Sequence, residues 1–416
     1  MNPVPKVKAF TVIALVIICA CAELCAPGKV WGQQAVDPHG ATPAVTAASL
    51  AEAKESFARG QRALAAGDLD TAEKEFRKVL AIDPRSGAAY ANLGVVSMRR
   101  KNWQQALVRL EKAEKLEPTM TGVRLNIGIL KYRAGDYAGA IVPLESVIRE
   151  QPDSGQARYL LGLCKLFTEH YADAVEVLEP LWAQQSNNFM YLYVLGIAAH
   201  SAGRKELDEK ALARLVEVGG ESPEFHLILG KAYLNREEPQ KALTELQHAA
   251  AANDRLPYLH YSLGMAYLRL DKSAEAEAEF RKDLEVEPDL PETYEQLGEF
   301  YMRAGNNQEA LKFYLEALKR NAKMASALFG AAKIHSQQEQ YQVALKEIDL
   351  AVQLAPGERM VHYLRGQILG RLGRKEEAQA EFAKSSKILN EGLQKRRETL
   401  GDTRTRNPEL AQPPQQ

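Results

Sequence analysis

The chain has 416 residues, 46% hydrophobic and 26% charged, enough apolar material for a large core and too much for disorder by composition. Lys and Arg number 53 against 54 Asp and Glu, a formal charge of -1, so no global field draws nucleic acid or an anionic membrane surface, and no nucleic-acid partner is expected. Charge-driven recognition must be local.

At the N-terminus, Lys6 and Lys8 precede an apolar run from Ala9 to Ala22 broken only by Thr11. Such a run is short for a spanning helix and ordinary for an export signal. Residues 1–32 therefore read as a signal peptide or a membrane or lipid anchor region. Three endings stay open: cleavage after Ala22 or Gly32, lipidation at Cys21, or an uncleaved anchor reaching Ala26. Each sends the rest of the chain across a membrane. The expected location is exported, periplasmic or envelope-associated, soluble after cleavage or tethered at the N-terminus. Residues 33–46, rich in Gln, Ala and Pro, lack periodicity and read as a flexible linker. Cys19, Cys21 and Cys25 belong to this region, which leaves Cys164 as a lone thiol on an apolar helix, a small core hydrophobe rather than a nucleophile.

From residue 53 the sequence repeats with a period of 34. The eighth position of successive units is Gly60, Gly94, Gly128, Gly162, Gly196, Gly230, Gly264, Gly298, Ala332 and Gly366. The twentieth is Ala72, Ala106, Ala140, Ala174, Ala242, Ala276, Ala310, Ala344 and Ala378, with Asp208 alone breaking the series in unit five. Four residues later come large side chains such as Phe76, Leu110, Phe280 and Tyr314, and many units close at a helix-ending proline: Pro84, Pro118, Pro152, Pro288 and Pro356. A glycine inside a helix costs about 1 kcal/mol against alanine. The cost is offset if two helices must approach closely, so Gly298 and Ala310 are expected where the first and second helices of a hairpin meet. "AGD" at 66–68 and 134–136 supplies a glycine to end the first helix and Asp68 or Asp136 to cap the second.

These positions resemble the tetratricopeptide repeat (TPR) pattern over about 340 residues, in ten consecutive units. The resemblance implies an all-α fold, a right-handed α-solenoid of about ten TPR helical hairpins behind the signal peptide. Units one to five span 47–222 and units six to ten 223–390; a C-terminal capping helix, read as an extension of the final helix, is expected over 391–400 and a disordered tail over 401–416. End units should differ, and they do: Arg59 and Arg365 stand at the seventh position, where units two to eight have Leu or Ile. Unit five fits the pattern if three residues are inserted in its turn, which places Ala211, Leu215 and Val218 on the twentieth, twenty-fourth and twenty-seventh positions and shortens the second helix at Gly219-Gly220. A hinge or docking loop and a tolerated loop variation are both open readings of it.

No phosphate loop, dinucleotide fingerprint, H-E-x-x-H, G-x-S-x-G or paired C-x-x-C is present, and the repeats leave no room for a catalytic domain, so no enzyme, catalytic residue or cofactor is expected. His226, His260 and His362 recur at the fourth position and His335 at the eleventh, which reads as packing and not as a metal-ligand set.

In the family, positions 2, 5, 9 and 12 of the first helix face a concave groove. The resemblance thus nominates Tyr159, Leu163, Leu166, Met190, Tyr193, Ile197, His200, Tyr258, Tyr261 and Met265 as an apolar, aromatic partner-binding groove, plain packing being the competing reading. Glu292, Glu295 and Glu299 form an acidic stripe on one helix face, either a patch for a basic segment or a solvated face neutralised in part by Lys333. The family's clamp for a C-terminal carboxylate is matched only by Asn92 and is not supported. The expected function is a non-catalytic exported scaffold for other proteins or peptides, in assembly of an envelope or secretion complex. The alternative is an accessory subunit recruiting or regulating a polysaccharide- or glycan-processing enzyme. A membrane tether through the N-terminus and self-association are further partner modes left open.

Overall fold

The structure, a computed structural model, describes residues 47–406. The expected signal and linker, 1–32 and 33–46, and the end of the expected tail lie outside the described residues. Among the described residues there is no strand, and no helix is long and apolar enough to cross a membrane.

Two compact units meet at the Ala249–Ala250 bond. The first holds six hairpins: α1 (Ala47–Ala66) with α2 (Leu69–Ile82), α3 (Gly87–Arg99) with α4 (Trp103–Leu116), and α5 (Thr121–Arg133) with α6 (Tyr137–Glu150). Then come α7 (Gly155–Phe167) with α8 (Tyr171–Leu178), a 3-10 turn over Glu179–Leu181 and the single turn α9 (Trp182–Gln185). α10 (Phe189–Ser201) pairs with α11 (Lys205–Val218), and α12 (Pro223–Asn235) precedes α13 (Pro239–Ala252), whose last residues pass the boundary. The second unit holds α14 (Leu259–Arg269) with α15 (Ser273–Val286), α16 (Pro291–Arg303) with α17 (Asn307–Arg320), α18 (Ala325–Gln337) with α19 (Tyr341–Leu354), and α20 (Arg359–Arg371) with α21 (Lys375–Arg406). Within each unit a helix packs on its hairpin mate and on the next hairpin, the arrangement of an α-solenoid.

Local chemistry explains the hairpins. Asp68 and Asp136 accept from the backbone N–H of Thr71 and Gly139 at 3.0 and 2.9 Å, capping the second helices as the sequence implies. Asn102 and Asn306 do the same for Gln105 and Glu309. The fifteenth position lies in the left-handed region in every hairpin: Gly67, Gly135, Gly203, Gly305 and Gly373 in five, and Lys101, Glu169, Glu237, Asp271 and Glu339 in the other five.

The repeated glycines make room chiefly for a side chain. A Cβ on Gly94, Gly128, Gly264 or Gly298 would meet the large residue sixteen positions on, Leu110, Leu144, Phe280 or Tyr314, at 2.5–2.7 Å. Those four side chains are fully buried.

Two expectations need correction. Unit five has no insertion: its turn at Ala202–Arg204 matches the other hairpins, and α11 keeps the 14-residue length of α2, α4 and α6. Asp208 does occupy the alanine position, where it is buried and ion-paired with Arg236 at the end of α12. Ala211 and Leu215 are buried beside it. The helix break falls instead in the fourth hairpin, where Pro180 lies in the 3-10 turn between α8 and α9. At the C-terminus the expected cap over 391–400 is an extension of the last helix, and what needs correction is the start of the tail at 401, since α21 runs unbroken to Arg406.

The end-unit arginines are ion-paired. Arg59 reaches Glu75 at 3.0 Å, and Arg365 reaches Asp349 at 2.6 Å and Glu381 at 3.0 Å.

Candidate functional site

Positions 2, 5, 9 and 12 of the first helices separate into covered and accessible side chains. In the first unit Tyr159, Leu163, Leu166, Tyr193 and Ile197 are buried, Tyr193 with 1% of its surface exposed. The Tyr193 hydroxyl accepts from Asn235 Nδ2 on α12 at 3.3 Å, and burial pushes its ionisation well above the usual tyrosine range. In the second unit Tyr261 and Met265 are buried as well. These seven do not present an open apolar surface, which corrects the expectation of a groove lined by all ten residues. Met190 is half-buried, and His200 is exposed with Nδ1 3.0 Å from Asp208 Oδ2. Tyr258 is half-buried and stands in the left-handed region at φ 64°, its N–H donating to Glu287 Oε2 at 2.5 Å.

The acidic stripe is more unusual than its sequence suggests. Glu292, Glu295 and Glu299 are all half-buried on α16. Burial, reinforced by Glu299 and Glu292, pushes the Glu295 carboxyl up to about 7 despite a hydrogen bond from Ser326. Burial, with Asp283 adding to it, also raises Glu292. Glu299 accepts from the Tyr314 hydroxyl at 2.9 Å and lies 3.8 Å from Arg303. Glu292 Oε2 is buried and has no hydrogen-bond partner among the described residues.

Beneath the stripe lies a carboxylate that the sequence reading missed. Asp283 on α15 is 1% exposed; it accepts from the Tyr261 N–H at 3.0 Å and from the Thr293 hydroxyl at 2.5 Å, tying α14 to α16. Its signal was available. Asp283 stands at the twenty-seventh position, which is Val79, Ala113, Val147, Ala249, Ala317 and Ala351 in other units. Tyr261 sits within the field of Glu295, Glu292 and Asp283, and burial holds its phenol protonated.

The histidines at position four each face a glutamate nineteen residues on: His226 with Glu245 at 2.7 Å, His260 with Glu279 at 2.7 Å and His362 with Glu381 at 2.6 Å. His335 at position eleven reaches Glu347 at 2.8 Å. They pack as hydrogen-bonded pairs, and the Glu279 contact raises the His260 imidazole against the opposing effect of burial.

Tetratricopeptide repeat models match residues 63–130 and 131–196, 227–291 and 295–359, and 361–388. The chain belongs to the tetratricopeptide repeat family. Its repeats form a protein-interaction scaffold of the TPR type. No curated protein matches the chain. Among solved structures, it is similar to MamA, at 16% identity and TM-score 0.36, over 40% of this chain and 97% of that one. It is also similar to yeast Tom70, at 15% identity and TM-score 0.43, over 86% of this chain and 98% of that one.

Proposed function

We propose that this TPR chain is a non-catalytic scaffold whose second unit takes a Lys- or Arg-rich segment of a partner protein along Glu292, Glu295 and Glu299. The observation that carries this reading is the half-buried, electrostatically frustrated state of the stripe. Glu295 is pushed up to about 7, and Glu292 keeps one oxygen without a partner among the described residues. A carboxylate held away from water gains more from an added cation than a solvated one does. In the free protein that gain is unrealised. The partner's ammonium or guanidinium groups supply it, and spacing of three and four residues along one helix face matches an extended or helical basic segment.

Export is part of the proposal and rests on Lys6, Lys8 and the apolar run Ala9–Ala22. A scaffold in the envelope, assembling a secretion or surface complex, follows from joining that signal to the repeats. The test is fluorescence anisotropy of a labelled Lys/Arg-rich peptide and its Asp/Glu counterpart, titrated with the full chain and with the Glu292→Gln, Glu295→Gln, Glu299→Gln variant. Saturable binding of the basic peptide alone, weakened at least about tenfold in the variant, is expected. Equal binding of the basic peptide by both proteins would remove the stripe as the site.

A further inference from the structure

We infer that the sixth hairpin holds a divalent transition-metal site, of the zinc class, formed by His226, Glu245 and His248. Three observations converge on it. His226 Nδ1 on α12 lies 2.7 Å from Glu245 Oε2 on α13, and the rings of His226 and His248 lie 5.3 Å apart. One ligand atom from each of the three residues falls within 4.8 Å of the other two. Glu245 and His248 are three residues apart on one helix, so both donors leave the same face toward His226. Small side-chain rotations bring such atoms to the separations of about 3.3 Å set by metal–ligand bonds near 2.0–2.2 Å.

The other hairpins show what is special about this one. Hairpins seven and ten repeat the His–Glu pair and complete it with a lysine at the twenty-sixth position: Lys282 lies 2.7 Å from Glu279, and Lys384 lies 2.8 Å from Glu381. Hairpin one, with Ser56 at the fourth position, places Arg59 from the seventh and Lys78 beside the equivalent Glu75. There the positive charge beside the glutamate is built into the chain. In hairpin six the twenty-sixth position is His248, so the fixed ammonium is replaced by a second imidazole that can donate a lone pair. A bound divalent cation restores the missing positive charge and uses every group present.

Two imidazoles and one carboxylate suit zinc, copper, nickel or ferrous iron better than calcium or magnesium. His248 is exposed, so the ion sits at an accessible edge with one or more positions left for water. Binding replaces the His226–Glu245 hydrogen bond by two metal–ligand bonds and joins α12 to α13. The site lies wholly in the first unit, so its fate is separable from that of the acidic stripe in the second.

The test titrates zinc chloride into the full chain against a chromophoric chelator, with wild type, His226→Ala and His248→Lys. The last variant recreates the His–Glu–Lys arrangement of hairpins seven and ten and is expected to fold, which circular dichroism and Tm check directly. The expected result is one equivalent bound by wild type, with affinity falling roughly 100-fold or more in both variants. Zinc should raise the Tm of wild type and leave that of His248→Lys unchanged. Undiminished binding in His248→Lys, or no saturable binding by wild type, overturns the assignment.

Discussion

The ring of Tyr314 lies against Gly298 so closely that a Cβ there would come within 2.7 Å of it, and a Cβ on Gly330 of the next hairpin would come within 2.4 Å of the same ring. Tyr314 is fully buried, and its hydroxyl donates to Glu299, so the glycine that permits the ring also positions one member of the acidic stripe. Gly298→Leu is expected to lower stability by about 1–3 kcal/mol through overpacking. Hairpin nine shows the tolerated alternative, Ala332 in the glycine position with Ile348 in place of an aromatic residue. Gly298→Ala should therefore cost less in a Tyr314→Ile background than alone. Denaturant titration of the double-mutant cycle measures the coupling.

The left-handed turns offer a substitution that should stabilise. Glu339 sits at φ 61° where five sister hairpins have glycine. Relief of the Cβ clash is worth about 1 kcal/mol for a single residue, partly offset by the entropy glycine brings to the unfolded chain. Glu339→Gly is expected to raise stability by a few tenths to about 1 kcal/mol, and Gly305→Ala to lower it by a similar amount. A lowered Tm for Glu339→Gly would contradict the strain.

Asp208 and Arg236 form a buried ion pair in place of the usual small residue. Asp208→Ala restores the repeat consensus yet strands a guanidinium that is only 10% exposed, so it should destabilise by about 3 kcal/mol. Asp208→Ala combined with Arg236→Leu should recover most of the loss. Chemical unfolding of the three proteins separates pair loss from packing.

Two glutamates give pH dependences of opposite sign. The Glu73 carboxyl is held at about 2 by Arg77, Arg100 and Arg109, against an unfolded value of 4.5. The unfolded chain binds more protons between those values, so this contribution is complete above pH 4.5 and lost as pH falls toward 2. Glu73→Gln should cost about 1–2 kcal/mol at pH 7 and little near pH 2. Glu295, pushed up from 4.5 to about 7, binds its proton more tightly in the folded chain. Stability is therefore lost as pH rises from 4.5 through 7, and Glu295→Gln should be nearly neutral at pH 4.5 and stabilising by about 2 kcal/mol at pH 8. Unfolding curves at three pH values distinguish the two signs.

How much of this was legible in the sequence follows from how each feature is encoded. Period, hairpin lengths, glycine register and the Asp68 and Asp136 caps depend on residues within one unit, and the repeat displays each of them several times over. The covered state of Tyr159, Tyr193 and Tyr261 was not legible, because burial at positions 5 and 9 depends on surroundings that a helix-face offset does not specify. Unit five misled for a related reason. Asp208 at an alanine position suggested a shifted register, whereas its cause is Arg236 in the following hairpin, an ion pair across 28 residues. Asp283 was readable as a departure from its column, whereas His248 stands in a variable one, with Ser146, Arg214 and Glu316 among its counterparts, and gains meaning only beside Glu245 and His226. The acidic stripe was visible as spacing, while its raised carboxyl values depend on how deeply α16 is buried.

The central claim, partner binding along the stripe, is tested most directly by photo-crosslinking in the cell from a benzophenone residue at Glu292, with Lys312 on the exposed face of α17 as the control position. The expected result is a discrete adduct from position 292 alone, whose captured peptide is rich in Lys and Arg by mass spectrometry. Adducts of equal yield from both positions, or a captured segment without basic residues, would contradict the assignment.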